Sequence, residues 1–196
     1  MRFYDRTDTD SATRNMSDAL KKKYEEKGLL ANFFETTVPT NLFRRRKVGD
    51  KTSIMQPTLI GFGPEERPRP PDIYLTDESG ASPQYNAEGM VRETGSKPLT
   101  KQLIADASKY TVRGCRDTFG DFRGVSTFDE INPRAKDVEW FYIPEGTEIP
   151  AGLAVTRDGI KLPGKPLHHT IAPRNNMPFT LFLQHLKGFE AVLKKA

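Results

Sequence analysis

Cysteine occurs once in this 196-residue chain, at Cys115, and tryptophan once, at Trp140. A single thiol excludes an intrachain disulfide and a cysteine-ligated zinc site, and it suits a reducing compartment. Long apolar runs are missing as well. No stretch approaches the roughly 20 residues needed to cross a bilayer. The opening MRFYDRTDTDSATRN carries no apolar segment of the kind that marks a secretory signal. A soluble protein without a classical export signal is expected, acting in the cytoplasm and not on a membrane. Histidine is scarce at three residues, and no HExxH pattern is present. The adjacent His168 and His169 would face opposite sides of a strand and cannot readily chelate one ion, so no metal is expected.

What the chain has in quantity is charge and turn formers. Charged residues make up 29% and hydrophobic ones 36%, with a mean hydropathy of -0.63 and fifteen each of Gly and Pro. Short elements joined by many loops follow from that balance. The net charge of +4 tolerates a polyanionic partner without demanding one, because 26 acidic residues are spread among the basic ones. No segment concentrates basic residues with interleaved aromatics, which argues against nucleic acid without excluding it.

Residues 1–16 have no periodicity and read as an arm. Helices are expected over SDALKKKYEEKG, from the Ser17 cap to Gly28, and over TKQLIADASKYTVRG, where Leu103, Ile104 and Ala107 share a face and Gly114 ends the run. LLANFFETTVP reads as an apolar connector. TNLFRRRKVG, the start of KTSIMQPTLI, VSTFDEI, EWFYI, GLAVTRDG and HHTIAP read as strands. The clearest helix closes the chain in NMPFTLFLQHLKGFEAVLKK, with Phe179, Phe182, Leu183, Leu186, Phe189 and Leu193 on one stripe. That order argues for an α+β fold over alternating βαβ units.

Three strand segments could carry chemistry. Arg44, in NLFRRRKV, is a guanidinium on an otherwise apolar strand and could grip a phosphate, or serve with Arg45 and Arg46 as an edge-strand charge cluster. In GVSTFDE, Gly124 permits close backbone approach, and Ser126 and Thr127 offer hydroxyls able to orient a ribose, or simply open a strand. In DVEWFYIPEGTEIP, an aromatic strand runs into the turn at Pro144-Glu145-Gly146. Alternation would put Asp137, Glu139 and Phe141 on one face, with Trp140 and Tyr142 on the other. A carboxylate beside a sugar can stabilise positive charge as a glycosidic bond breaks; otherwise it is a solvated strand end.

Arg, then Ser-Thr, then Glu on successive strands resembles the Arg–Ser–Glu class of ADP-ribosyltransferase folds. From Gly124 onward, GVSTFDE, FYIPEGTEIPAGLAV, HHTIAPRNNMP and LFLQHLKGF resemble the type VI secretion exported effector 2 toxin family, with NLFRR and PPDIYLTDESG similar further upstream. The resemblance implies an ADP-ribosyltransferase-like split antiparallel β-sheet core with flanking helices. It outlines an N-terminal arm and helix over 1–38 and a toxin domain over 39–196 with an insertion around 74–123.

It further implies NAD as co-substrate in ADP-ribosyl transfer to an unknown macromolecular acceptor, or to water in an NAD glycohydrolase. Arg44, Ser126, Thr127 and Glu139 would be catalytic. Arg44 and Ser126 would also contact NAD, with Tyr142, His168 and His169 beside it. Val125 stands where the family has Thr, so the hydroxyl pair is shifted to Ser126 and Thr127. Counting back from Pro144 reaches Trp140, so Glu139 fills the acidic position through a one-residue bulge, or the glutamate is absent. An immunity protein is a further implied partner. The rival reading is a non-catalytic relative that acts by partner binding.

Overall fold

The computed structural model describes residues 33–60, 71–85, 96–114, 123–158 and 161–196. Strands β1 (Phe33–Phe34), β2 (Leu42–Lys47), β5 (Val125–Phe128), β6 (Val138–Ile143), β7 (Leu153–Arg157), β8 (His168–Pro173) and β10 (Lys194–Lys195) form a seven-stranded antiparallel sheet. Its order is β1-β7-β8-β5-β2-β6-β10. A second antiparallel sheet holds β3 (Leu75–Thr76), β4 (Thr111–Val112) and β9 (Met177–Pro178). Among the described residues two helices flank the sheets, α1 (Ser96–Ala105) and α2 (Phe179–Glu190). The α+β class is as expected.

The large sheet is two ladders with one join. Strands β7 and β8 pair from Leu153↔Pro173 to Arg157↔His169, and β5 pairs with β8 from Val125↔Ile171 to Phe128↔His168. On the other side β2 and β6 pair without interruption from Leu42↔Ile143 to Lys47↔Val138. Between them β2 and β5 share a single pair, Phe43↔Phe128, and then part. The sheet is therefore split. Gly124 lets β5 lie close to β8, since a β-carbon there would collide with the Ile171 carbonyl.

Period-two alternation sends Leu42, Val125, Ile143, Leu153, Val155 and Ile171 to one face, all fully buried. Against the same core pack Phe179, Phe182, Leu186 and Phe189, spaced by three or four along α2. Each such side chain contributes about 1.5–3 kcal/mol by leaving water. Leu75, Val112 and Leu103 extend the core under the small sheet.

Several elements differ from expectation. Helix α1 starts at Ser96 and ends at Ala105; a 3-10 turn over Ala107–Lys109 follows, and Thr111–Val112 is a strand instead of helix. Its β-branched residues pair with Leu75–Thr76 on one side and Met177–Pro178 on the other, so tertiary pairing overrides the helical pattern. Leu103 and Ala107 are buried as expected, whereas Ile104 is exposed. Helix α2 stops at Glu190, and Lys194–Lys195 turn back to pair with β6. Glu190 holds the helix end by accepting from Ile54 N (3.1 Å) and Ser53 Oγ (2.9 Å).

The strand expected at the start of KTSIMQPTLI is a turn that buries Ile54 and Met55. Residues Phe33–Phe34, read as connector, pair with β7, so the sheet reaches into the 1–38 segment. The helix expected from Ser17 to Gly28 lies outside the described residues. Asp137 is not in β6: it takes a left-handed backbone (φ 56°) and its carbonyl accepts from Val48 N, so Glu139 alone of the two carboxylates is on the strand.

Candidate functional site

The split brings Arg44 and the Ser-Thr segment together through the backbone. Arg44 is half-buried, and its guanidinium donates to the Ile54 carbonyl (2.5 Å), the Ser126 carbonyl (2.7 Å) and the Gln56 carbonyl (2.9 Å). It thus spans the gap where β2 and β5 part and ties the 54–56 turn to β5. This explains why that turn is not a strand: two of its carbonyls are satisfied by a side chain.

Beside Arg44 lies a cleft of about 740 Å3. Among the described residues its wall carries Arg44, Arg45, Arg46, Lys47 and Lys101 against one carboxylate, Asp50. Asp50 accepts from Thr52 N (2.9 Å), and that bond draws its pKa below the ordinary value. The cleft is therefore electropositive. Within it Arg46 donates through Nη1 to the Thr52 carbonyl (3.2 Å) and through Nη2 to Glu139 (3.5 Å), while its buried Nε has no acceptor among the described residues.

Glu139 sits opposite Arg46 in an unbroken register, so the one-residue bulge is absent. Lys195 of β10 reaches its other oxygen at 2.7 Å. The Lys195 ammonium, then Arg46, holds the carboxyl below its ordinary 4.5. The group is an anion at neutral pH and lies one residue from the cleft, through Arg46.

The remaining candidates divide between the two faces of the sheet. Arg44, Thr127, Glu139 and His169 point to the core side; Ser126, Tyr142 and His168 point away from it. Thr127 is buried and donates to the His169 carbonyl (3.1 Å). His169 is 2% exposed, and burial is the first cause lowering its pKa, with Asp158 opposing. On the outer face Tyr142 packs on Phe43 with ring centroids 5.4 Å apart. His168 lies edge-on to Phe128 at 5.3 Å, and its Nδ1 is 2.5 Å from Asp158 Oδ2. Asp158 also accepts from Thr156 Oγ1 (2.6 Å) and Thr170 Oγ1.

Sequence reasoning missed Lys101, Asp158 and Lys195. Arg46 and Lys47 stood in the basic run read around Arg44, but Lys101 reaches the cleft from α1 and Lys195 reaches Glu139 from a two-residue strand. Neither leaves a local pattern. Gln84 was missed too: fully buried, its side chain accepts from Leu75 N and donates to the Leu59 and Ile73 carbonyls. Among the described residues no three His, Cys, Asp or Glu side chains converge on a metal-sized site, and no helix is long and apolar enough to cross a membrane.

The family described as the Tse2 ADP-ribosyltransferase toxin matches residues 55–194. This chain belongs to that family. The matched stretch holds Ser126, Thr127, Glu139, Tyr142, His168 and His169 along with Lys101, whereas Arg44 and the rest of β2 precede it. The split antiparallel sheet with flanking helices is the fold the family implies. No curated protein matches the chain.

Proposed function

We propose that this family member is an NAD-dependent ADP-ribosyltransferase, or an NAD glycohydrolase where water is the acceptor. The observation that carries the reading is family membership across residues 55–194. The cleft supports it. About 740 Å3 accommodates a dinucleotide, its cations suit a diphosphate, and Arg46 Nε is a buried donor without an acceptor among the described residues.

NAD supplies the ADP-ribosyl group and nicotinamide as the leaving group. Arg46, Lys47 and Lys101 would neutralise the diphosphate, and Arg44 would frame the cleft floor through its carbonyl bonds. Glu139, ionised at neutral pH, would stabilise positive charge developing at the ribose. Ser126 would position the nicotinamide ribose from the outer face of β5, where Tyr142 and His168 also lie, with Thr127 and His169 supporting that strand from the core side. The partners implied are NAD, a macromolecular acceptor and an immunity protein, with a cytoplasmic site of action.

One observation favours the rival, a non-catalytic protein that works by partner binding. Glu139 is already ion-paired on both oxygens, to Lys195 and Arg46, in a register without a bulge. Calorimetric titration with NAD, paired with mass detection of nicotinamide, separates the two. Binding with release that disappears in Glu139→Gln is expected. Absence of binding would overturn the NAD reading, and binding without release would favour the rival.

A further inference from the structure

The outer face of the large sheet carries a row of aromatic rings that no single segment encodes. Tyr142 on β6 is directly opposite Phe43 on β2, Phe43 is opposite Phe128 on β5, and Phe128 is opposite His168 on β8. Four neighbouring strands thus each place a ring in one cross-strand line, about 14 Å long at the usual strand spacing. All four side chains are half-buried, with ring contacts at both ends of the row. Next to it Trp140 stands opposite Arg45, and Ser126 lies on β5 beyond the point where β2 and β5 part.

Charge on this face is polarised. Arg45, Lys47 and Lys194 are exposed at the β2–β6–β10 end, with Lys194 opposite Tyr142. At the β8 end the carboxylate of Asp158 is occupied by His168, Thr156 and Thr170. Aromatic rings at strand spacing beside cations with no side-chain partner among the described residues suit a ligand that alternates aromatic planes with anions.

We infer that this face binds single-stranded nucleic acid, stacking about two or three bases on the Tyr142–Phe43–Phe128–His168 row and directing phosphates to Arg45, Lys47 and Lys194. A duplex hides its base faces and cannot use the row. The face shares Lys47, Tyr142 and His168 with the NAD reading, so the titration is made without NAD and its outcome is read apart from nicotinamide release.

The single tryptophan provides the test, because Trp140 lies beside the row. The full chain is titrated with a labelled 12-nucleotide oligothymidylate, reading anisotropy and Trp140 emission together. Saturable binding with quenching is expected. Its affinity should fall with salt at a log–log slope of about −2, as for three phosphate contacts to a single strand. Phe128→Leu and Arg45→Glu are each expected to weaken binding about tenfold, while Lys187→Glu, on α2, leaves it unchanged. Tyr142→Leu replaces Phe128→Leu if circular dichroism shows the latter unfolded.

Lack of oligonucleotide binding would overturn the inference. So would equal affinity for a base-free polyphosphate, tighter binding of the matching duplex, or retention only by anionic vesicles.

Discussion

The two faces of one sheet hold candidate residues under opposite conditions. On the inner face most polar groups are committed, Arg46 Nε and His169 Nδ1 being the exceptions among the described residues. Arg44 is spent on three carbonyls, Thr127 on the His169 carbonyl, and Glu139 on Lys195 and Arg46. On the outer face rings and cations stand half-exposed in register, with few bonds among them. Buried polar groups must be satisfied to be tolerated, so the inner face reads as architecture with a cleft at its border. The outer face has surface to offer a partner. The same period-two alternation that builds the core has thus kept Arg44, Thr127 and Glu139 on one side and put Ser126 on the other.

Substitutions sharpen that contrast. The largest effect is expected inside. Phe182→Ala, fully buried under the inner face, should cost about 3–5 kcal/mol of unfolding free energy in urea titration, against about 1 kcal/mol or less for Tyr142→Leu outside. Equal costs would show the outer row to be core.

A smaller effect is expected from His169. Its native pKa lies below the ordinary 6.5 because of burial. Its contribution to stability is complete above pH 6.5 and is lost as pH falls toward the lowered native value, since the unfolded chain takes the proton first. The unfolding free energy should therefore fall between pH 7.5 and 5.5 in the parent, and fall less in His169→Leu.

The smallest effect is expected at Lys195→Ala. Glu139 loses the first cause of its lowered pKa, and its NMR titration should move up toward 4.5 with the fold unchanged. An unmoved titration would assign the shift to Arg46.

The elements legible in the sequence are those whose pattern is local. Strands β5 to β8 are β-branched or aromatic runs bounded by turns, and α2 declares itself through Phe179, Phe182, Leu186 and Phe189. The two-residue strands β1, β3, β4, β9 and β10 exist only through distant partners, so Thr111–Val112 reads as helix and Lys194–Lys195 as a helix end. The left-handed backbone at Asp137 likewise has no local cue.

At the site, alternation foretold that Glu139 and Tyr142 oppose each other. It could not foretell that Lys195 reaches Glu139, or that Lys101 borders the cleft, because both contacts come from elements remote in sequence. The aromatic row is the strongest case. Each ring is visible alone, but their alignment needs the register of three strand pairs at once.

The bonds of Arg44 bear on genetics as well as on chemistry. A screen for survivors of a toxic gene will recover Arg44 substitutions whichever activity the toxin has, because the residue staples two half-sheets that share one other pair. Lysine offers no rescue, since a point-like ammonium cannot replace a planar fork that reaches three acceptors. Loss of toxicity at Arg44 is thus a report on assembly. Alleles at Lys101 or Arg45, which hold nothing else in place among the described residues, are the ones whose survivors speak about ligands.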